Sequence, residues 1–211
     1  MLRHARCQDL IQGELNETLT AEGIFSVLTY EFVPFGNAYY PQSDCPGEKV
    51  YNRNEGVPCW QEKCGNVNGQ PSSCFAGDPI CQHGADECLG DRYETCASVD
   101  TLGGTVSALQ GAQFAYCIET PSLNLNRIAG CAAYAQIDSG LLEACAASGS
   151  QQGNAATVAA ANTTAQFSFV TGSAWQGTPT VTMNGYPLLT TRNLLQQVCD
   201  AAGADAPTGC Y

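Results

Sequence analysis

Positive charge is scarce in this chain: eight Lys and Arg stand against twenty Asp and Glu in 211 residues, a net charge of −12. A surface of that sign repels phosphate, so nucleic acid is set aside as a partner. Long apolar runs are missing as well. No stretch approaches the roughly 18 residues that cross a bilayer, which sets aside a membrane-spanning helix. Charged residues of either sign are only 13% of the chain against 44% hydrophobic, the opposite of the balance that keeps a chain disordered. The opening Met1-Leu2-Arg3-His4-Ala5-Arg6-Cys7 lacks the roughly 7–15 apolar residues of a secretory leader. Either a leader has been removed, or the chain begins inside a longer protein.

What is abundant is cysteine, thirteen in all. That density, with few Lys, two Met and many Gly and polar residues, points to an oxidising compartment and a disulfide framework. Two sequons, Asn16-Glu17-Thr18 and Asn162-Thr163-Thr164, agree with passage through such a compartment and mark Asn16 and Asn162 as candidate glycosylation sites.

Along the chain, Leu10, Ile11, Leu15 and Leu19 form a helical stripe within Cys7–Leu19. Phe25 to Val33 is rich in β-branched and aromatic residues and reads as a strand, buried on both faces near its centre and ended by Pro34 and Gly36. Residues 39–80 turn to Pro, Gly, Asn and Ser with Cys45, Cys59, Cys64 and Cys74, a Cys-rich insertion too long for a bare loop and held by disulfides. Its four cysteines allow three pairings, and spacing does not choose among them. Its aromatic residues Tyr39, Tyr40, Tyr51 and Trp60 suit a substrate-gripping flap, or the segment is a stapled decoration. Residues 81–170 read as a mostly helical insertion; within them, 147–165 suits either a surface helix or a mobile link. Thr180–Met183 and Tyr186–Leu189 flank Asn184-Gly185, a strong hairpin signal. A helix with Leu194, Leu195 and Val198 follows, capped by Thr190 or Thr191.

Cys81-Gln82-His83-Gly84, then Glu87-Cys88, then Asp91 and Cys96, resembles the signature of the gamma-interferon-inducible lysosomal thiol reductase family. That signature reads Cys-Gln-His-Gly, two residues, Glu-Cys, two residues, Asn, four residues, Cys. Asp91 stands where the family has Asn, which keeps an acceptor and loses the amide donor. Val33-Pro34-Phe35-Gly36-Asn37-Ala38 and the stretch from Pro179 to Pro187 resemble the family's strand end and hairpin. The resemblance covers nearly all the chain except 39–80. It implies an α/β fold: a single thioredoxin-like domain over 1–211 with a helical insertion, its first strand missing here. It also implies reduction of disulfide-containing proteins in an acidic lysosomal or secretory compartment, with no cofactor beyond an external small thiol.

The family's reactive pair is Cys-x-x-Cys at the start of the first helix, where the helix dipole favours thiolate. Cys7 aligns with the second cysteine, and the first position falls on His4. Twelve of the thirteen cysteines can pair in six bridges, which leaves Cys7 alone. It is then either a reactive thiol with Arg6 and His4 nearby, or a buried leftover. His4 either assists the thiolate or occupies a frayed start. Thr178-Pro179 resembles the cis-proline that faces the reactive pair in thioredoxin folds and presents backbone to a substrate strand, or Pro179 is an ordinary strand-start proline. Cys81, His83, Cys88 and Cys96 are ligand types, but their spacing matches no common zinc site. On one uninterrupted helix, Cys81 and Cys88 would lie about 10 Å apart along the axis, beyond the roughly 7 Å a bridge allows. That geometry sends them to different partners unless Gly84 breaks the helix. The competing functional reading is a non-catalytic, disulfide-rich binding or structural protein.

Overall fold

A computed structural model of the chain describes residues 5–66, 70–98, 101–102, 104–173 and 177–211. His4 lies outside them. The apolar stripe at the start folds as expected into consecutive helical turns: α1 (Ala5–Leu10), a π-helical stretch (Ile11–Leu15) and α2 (Asn16–Thr20). After the Cys-rich segment, which carries α3 (Gly56–Cys64), come α4 (Ala85–Cys96), α5 (Ala108–Glu119), α6 (Ile128–Tyr134), α7 (Ser139–Ala146) and α8 (Gln151–Thr171). The ambiguous 147–165 stretch is therefore mostly helix. Side chains start three of these elements by accepting orphan N–H groups. Ser107 and Gln110 form a reciprocal capping box at α5. Asp138 Oδ1 accepts from Leu141 N–H at 3.0 Å, and Ser150 Oγ from Gly153 N–H at 3.2 Å.

The hairpin is present. Strands β1 (Thr182–Met183) and β2 (Tyr186–Pro187) pair antiparallel, with Met183 opposite Tyr186. Asn184 and Gly185 take φ of 52° and 83°, the positive values a two-residue turn of this type demands. Helix α9 (Leu194–Ala202) follows, but neither Thr190 nor Thr191 caps it. Thr190 Oγ1 accepts from Arg192 N–H instead. The cap comes from far away, where Glu14 Oε2 accepts from Leu194 N–H at 2.9 Å.

The thioredoxin-like α/β core is not found. Among the described residues, the two-residue strands of the hairpin are the only paired strands, and the architecture is mainly helical. The segment expected as a strand begins with a 3₁₀ turn, Ile24–Ser26, and then runs on without a partner. Its strand character survives in the side chains. Leu28, Tyr30 and Phe32 are half-buried while Thr29 and Glu31 are exposed, and the rings of Tyr30 and Phe32 stack at 6.5 Å. Side chains two apart on one face are what a pleated backbone produces. What is absent is a neighbour to complete the ladder, and β propensity alone does not make a sheet.

The twelve cysteines other than Cys7 pair in six bridges: 45–59, 64–74, 81–88, 96–145, 117–131 and 199–210. The one-helix argument against joining Cys81 to Cys88 fails because the helix starts at Ala85. Gly84 (φ 92°, ψ −166°) turns the chain just before it, so the two Cα atoms lie 5.6 Å apart. The Cys-rich segment is closed at its base by reciprocal backbone bonds between Tyr39 and Ile80. Tyr39, Tyr40 and Trp60 are buried in it, so they build a core with Phe35 and α8 residues Ala161 and Ala165 and do not form a gripping surface. A second core gathers Phe114, Ile118, Cys131 and Leu142 among α4 to α7.

Candidate functional site around Cys7

Cys7 is the one cysteine outside a bridge, and it lies on the first helix, at the wall of a cavity of about 410 Å³. Thr178 and Pro179 line the same cavity, and the peptide bond between them is cis, as the sequence resemblance implies. The Thr178 hydroxyl hydrogen-bonds the Cys7 thiol. Asn37, itself buried, donates through Nδ2 to Thr178 Oγ1 at 3.3 Å and to Gln82 Oε1 at 3.0 Å. A chain of side chains thus runs from the Cys-Gln-His-Gly signature through Asn37 and Thr178 to the free sulfur. Sequence reasoning did not single out Asn37, although it lies in the quoted Val33–Ala38 stretch.

The rest of the signature shapes the start of α4. Glu87 reaches back to His83, its Oε2 accepting from the His83 N–H at 2.6 Å and its Oε1 lying 3.0 Å from Nδ1. This satisfies an N–H next to the helix start in the manner of a capping box, and it gives His83 a structural role. His83, Glu87 and Asp91 also border the cavity. Cys81 and Cys88 staple the turn, and Cys96 anchors the far end of α4 through Cys145 in the core. With their sulfurs in bridges, these three cysteines offer no thiolate to a metal. The sequons lie elsewhere. Asn16 starts α2, and Asn162, within α8, accepts from Gln70 and Gln166.

The electrostatics differ from the expectation of a thiol poised for ionisation. Burial pushes the Cys7 thiol up to about 11; the Thr178 hydrogen bond opposes this, and the Glu119, Glu94 and Glu87 carboxylates add to it. Low dielectric and negative neighbours both penalise a thiolate. Glu94 is the most confined of these carboxyls, only 6% exposed. Burial, with Glu119 and then Asp91 nearby, holds its pKa well above the ordinary carboxyl value. Among the described residues, Glu94 Oε1 and the Tyr30 hydroxyl are buried without a hydrogen-bond partner. Both residues lie between the Cys7 cavity and a second one of about 380 Å³, which share Tyr30–Pro34 in their lining. Nothing in local sequence flagged Glu94, Glu119 or Tyr30. Their proximity is created by the packing of α4, α5 and the 28–33 segment.

No family model matches the chain, and no curated protein matches it. The six disulfides favour an oxidising compartment. No helix among the described residues is long and apolar enough to cross a membrane.

Proposed function

We propose that this protein is a thiol–disulfide oxidoreductase akin to the gamma-interferon-inducible lysosomal thiol reductases, acting on protein disulfides in a lysosomal or secretory lumen with Cys7 as its reacting sulfur. The observation that carries this reading is the position of the single unpaired sulfur. It borders an open cavity beside Thr178–Pro179 and is linked through Asn37 to Gln82 of the signature. Cys7 thiolate attacks one sulfur of a substrate disulfide, forming a mixed disulfide and expelling the other substrate sulfur as a thiolate that takes up a proton. An external small thiol then attacks the Cys7 sulfur and frees the second substrate thiol. A second small thiol releases Cys7 and leaves as the symmetrical disulfide. The substrate gains two electrons and the small thiols lose two.

Because the thiol is pushed up to about 11, the thiolate at neutral pH is on the order of one part in ten thousand, and turnover is slow there. The competing reading, a non-catalytic disulfide-rich binding protein, draws on that same unfavourable electrostatics. An assay of protein-disulfide reduction with cysteine as external thiol, run from acidic to alkaline pH, separates the two. The expected result is a rate above that of Cys7→Ser, rising with pH, and a further gain in His4→Cys. Equal rates for the unaltered chain and Cys7→Ser, with no gain in His4→Cys, would leave only the binding reading.

A further inference from the structure

Thr178 meets the free sulfur through a hydroxyl, which has one hydrogen to give and two lone pairs that accept. Its neighbours decide where that hydrogen points. Asn37 Nδ2 lies 3.3 Å from Thr178 Oγ1 and 3.0 Å from Gln82 Oε1, so the two hydrogens of one buried amide go to two oxygens. With a lone pair of Thr178 Oγ1 taken by Asn37, the hydroxyl hydrogen is left for the Cys7 sulfur, and the bond between them favours the thiolate. Enclosed chains of hydrogen bonds strengthen one another along their length. The rest of Thr178 is confined as well. A Cβ on Gly36 would come within 3.3 Å of Thr178 Cγ2, so the methyl packs against the turn that carries Asn37. A Cβ on Gly177 would lie 3.4 Å from Asn37 Oδ1, which places the amide oxygen against the main chain just before Thr178. Gln82 is held from both sides. Cys81 is tied to Cys88 and its carbonyl accepts from Gly84 N–H at 3.2 Å, while the His83 N–H donates to Glu87 Oε2 at 2.6 Å. These are other members of the signature, and their joint effect is to fix the backbone that presents Gln82 to Asn37.

We infer that Gln82 and Asn37 are positioning residues for the free sulfur: Gln82 keeps the Asn37 amide turned with its N–H groups toward Thr178, and Asn37 aims the Thr178 hydroxyl hydrogen at Cys7. Without the Gln82 acceptor, the Asn37 amide loses the partner that fixes which end faces Thr178. Turned over, it would accept the Thr178 hydrogen on its oxygen and draw it from the sulfur. This role rests on the reading of Cys7 as the reacting sulfur, but the reactivity of the thiol is measurable by itself, whether or not the chain reduces protein disulfides.

The measurement is the rate of Cys7 alkylation by iodoacetamide from pH 7 to 11 in the unaltered chain, Gln82→Met and Asn37→Asp, each alone and combined with Thr178→Val. Below the pKa of a thiol, this rate follows the thiolate fraction. Gln82→Met removes the acceptor at similar size. It is expected to move the profile to higher pH and to slow alkylation at pH 9 about threefold or more. Asn37→Asp keeps the shape of the side chain, but its carboxylate accepts the Thr178 hydrogen. It is expected to slow the reaction further, and it carries the test where Gln82→Met does not fold. In the Thr178→Val background, Gln82→Met is expected to make no further difference and Asn37→Asp to retain only the lesser effect of its charge. That coupling separates a relay through the hydroxyl from mere packing. Unchanged profiles in both single variants would overturn the inference, and so would equal slowing with and without the Thr178 hydroxyl. Equal disulfide reduction by the unaltered chain and Cys7→Ser, with the coupling present, would remove the redox reading and leave the relay standing.

Discussion

At the scale of single residues, the free sulfur is controlled by three kinds of neighbour: burial, one hydroxyl donor and a set of carboxylates. Thr178 is the only one of these causes that favours thiolate, so Thr178→Val is expected to raise the Cys7 pKa further and slow its alkylation by iodoacetamide at fixed alkaline pH. Alkylation at an unchanged or faster rate would show that the hydroxyl does not stabilise the thiolate. Glu94 gives a pH signature of its own. Its carboxyl keeps the proton to a higher pH in the folded chain than in the unfolded one. Folding therefore takes up a proton between the two pKa values. Stability from this group is complete below the ordinary carboxyl value and is lost as pH rises toward the folded value. Urea midpoints measured between pH 4 and 8 are expected to fall with rising pH, and to fall less in Glu94→Gln, which cannot ionise. Parallel curves for the two proteins would contradict the assignment.

At the scale of elements, what was legible in the sequence was what is decided locally. The Asn184-Gly185 hairpin, the first helix and the helical character of 81–170 all follow from turn chemistry and apolar spacing within short windows. At 25–33 the β-branched and aromatic content was legible but the pairing was not, since it depends on a neighbour that no local pattern supplies, and the expected burial of both faces gives way to exposed Thr29 and Glu31. The cap of α9 was missed because its acceptor, Glu14, is 180 residues away. The candidate site was half legible. Cys7, Thr178, Pro179 and Gln82 could be named from motifs, whereas Asn37, Glu94 and Tyr30 acquire meaning only when remote elements pack together. Gly84 tests the local part directly. Its φ of 92° and ψ of −166° lie where L side chains are strained, yet a Cβ there meets nothing within 4 Å. Gly84→Ala is expected to cost about 1–3 kcal/mol by urea denaturation, from backbone strain alone. No loss would mean that the turn before α4 takes another conformation.

At the scale of the whole molecule, the six bridges divide the covalent labour unevenly. The Cys96–Cys145 bridge spans 49 residues and is buried between α4 and α7, whereas Cys81–Cys88 closes only seven. If each acts chiefly by restricting the unfolded chain, replacing the first pair by alanine is expected to cost about 4 kcal/mol and the second about 2 kcal/mol. A larger loss from the shorter loop, measured by the same denaturation, would show that the signature turn contributes more through its folded geometry than through chain entropy. The two cores are joined by α8 and α4, and the cavity is bordered by the 29–33 segment, unpaired among the described residues, and by the hairpin. The protein thus holds its single free thiol in a stapled helical frame next to a segment, residues 29–33, whose main chain makes no hydrogen bond among the described residues.

The most direct test of Cys7 as the reacting sulfur is to trap its mixed disulfide. The protein is mixed at pH 9 with a disulfide-containing protein substrate, quenched with acid and mapped by mass spectrometry without reduction. A substrate peptide joined to Cys7, with the six native bridges intact and no adduct in Cys7→Ser, is the predicted result. Adducts on cysteines of the native bridges, or none on Cys7, would contradict the account.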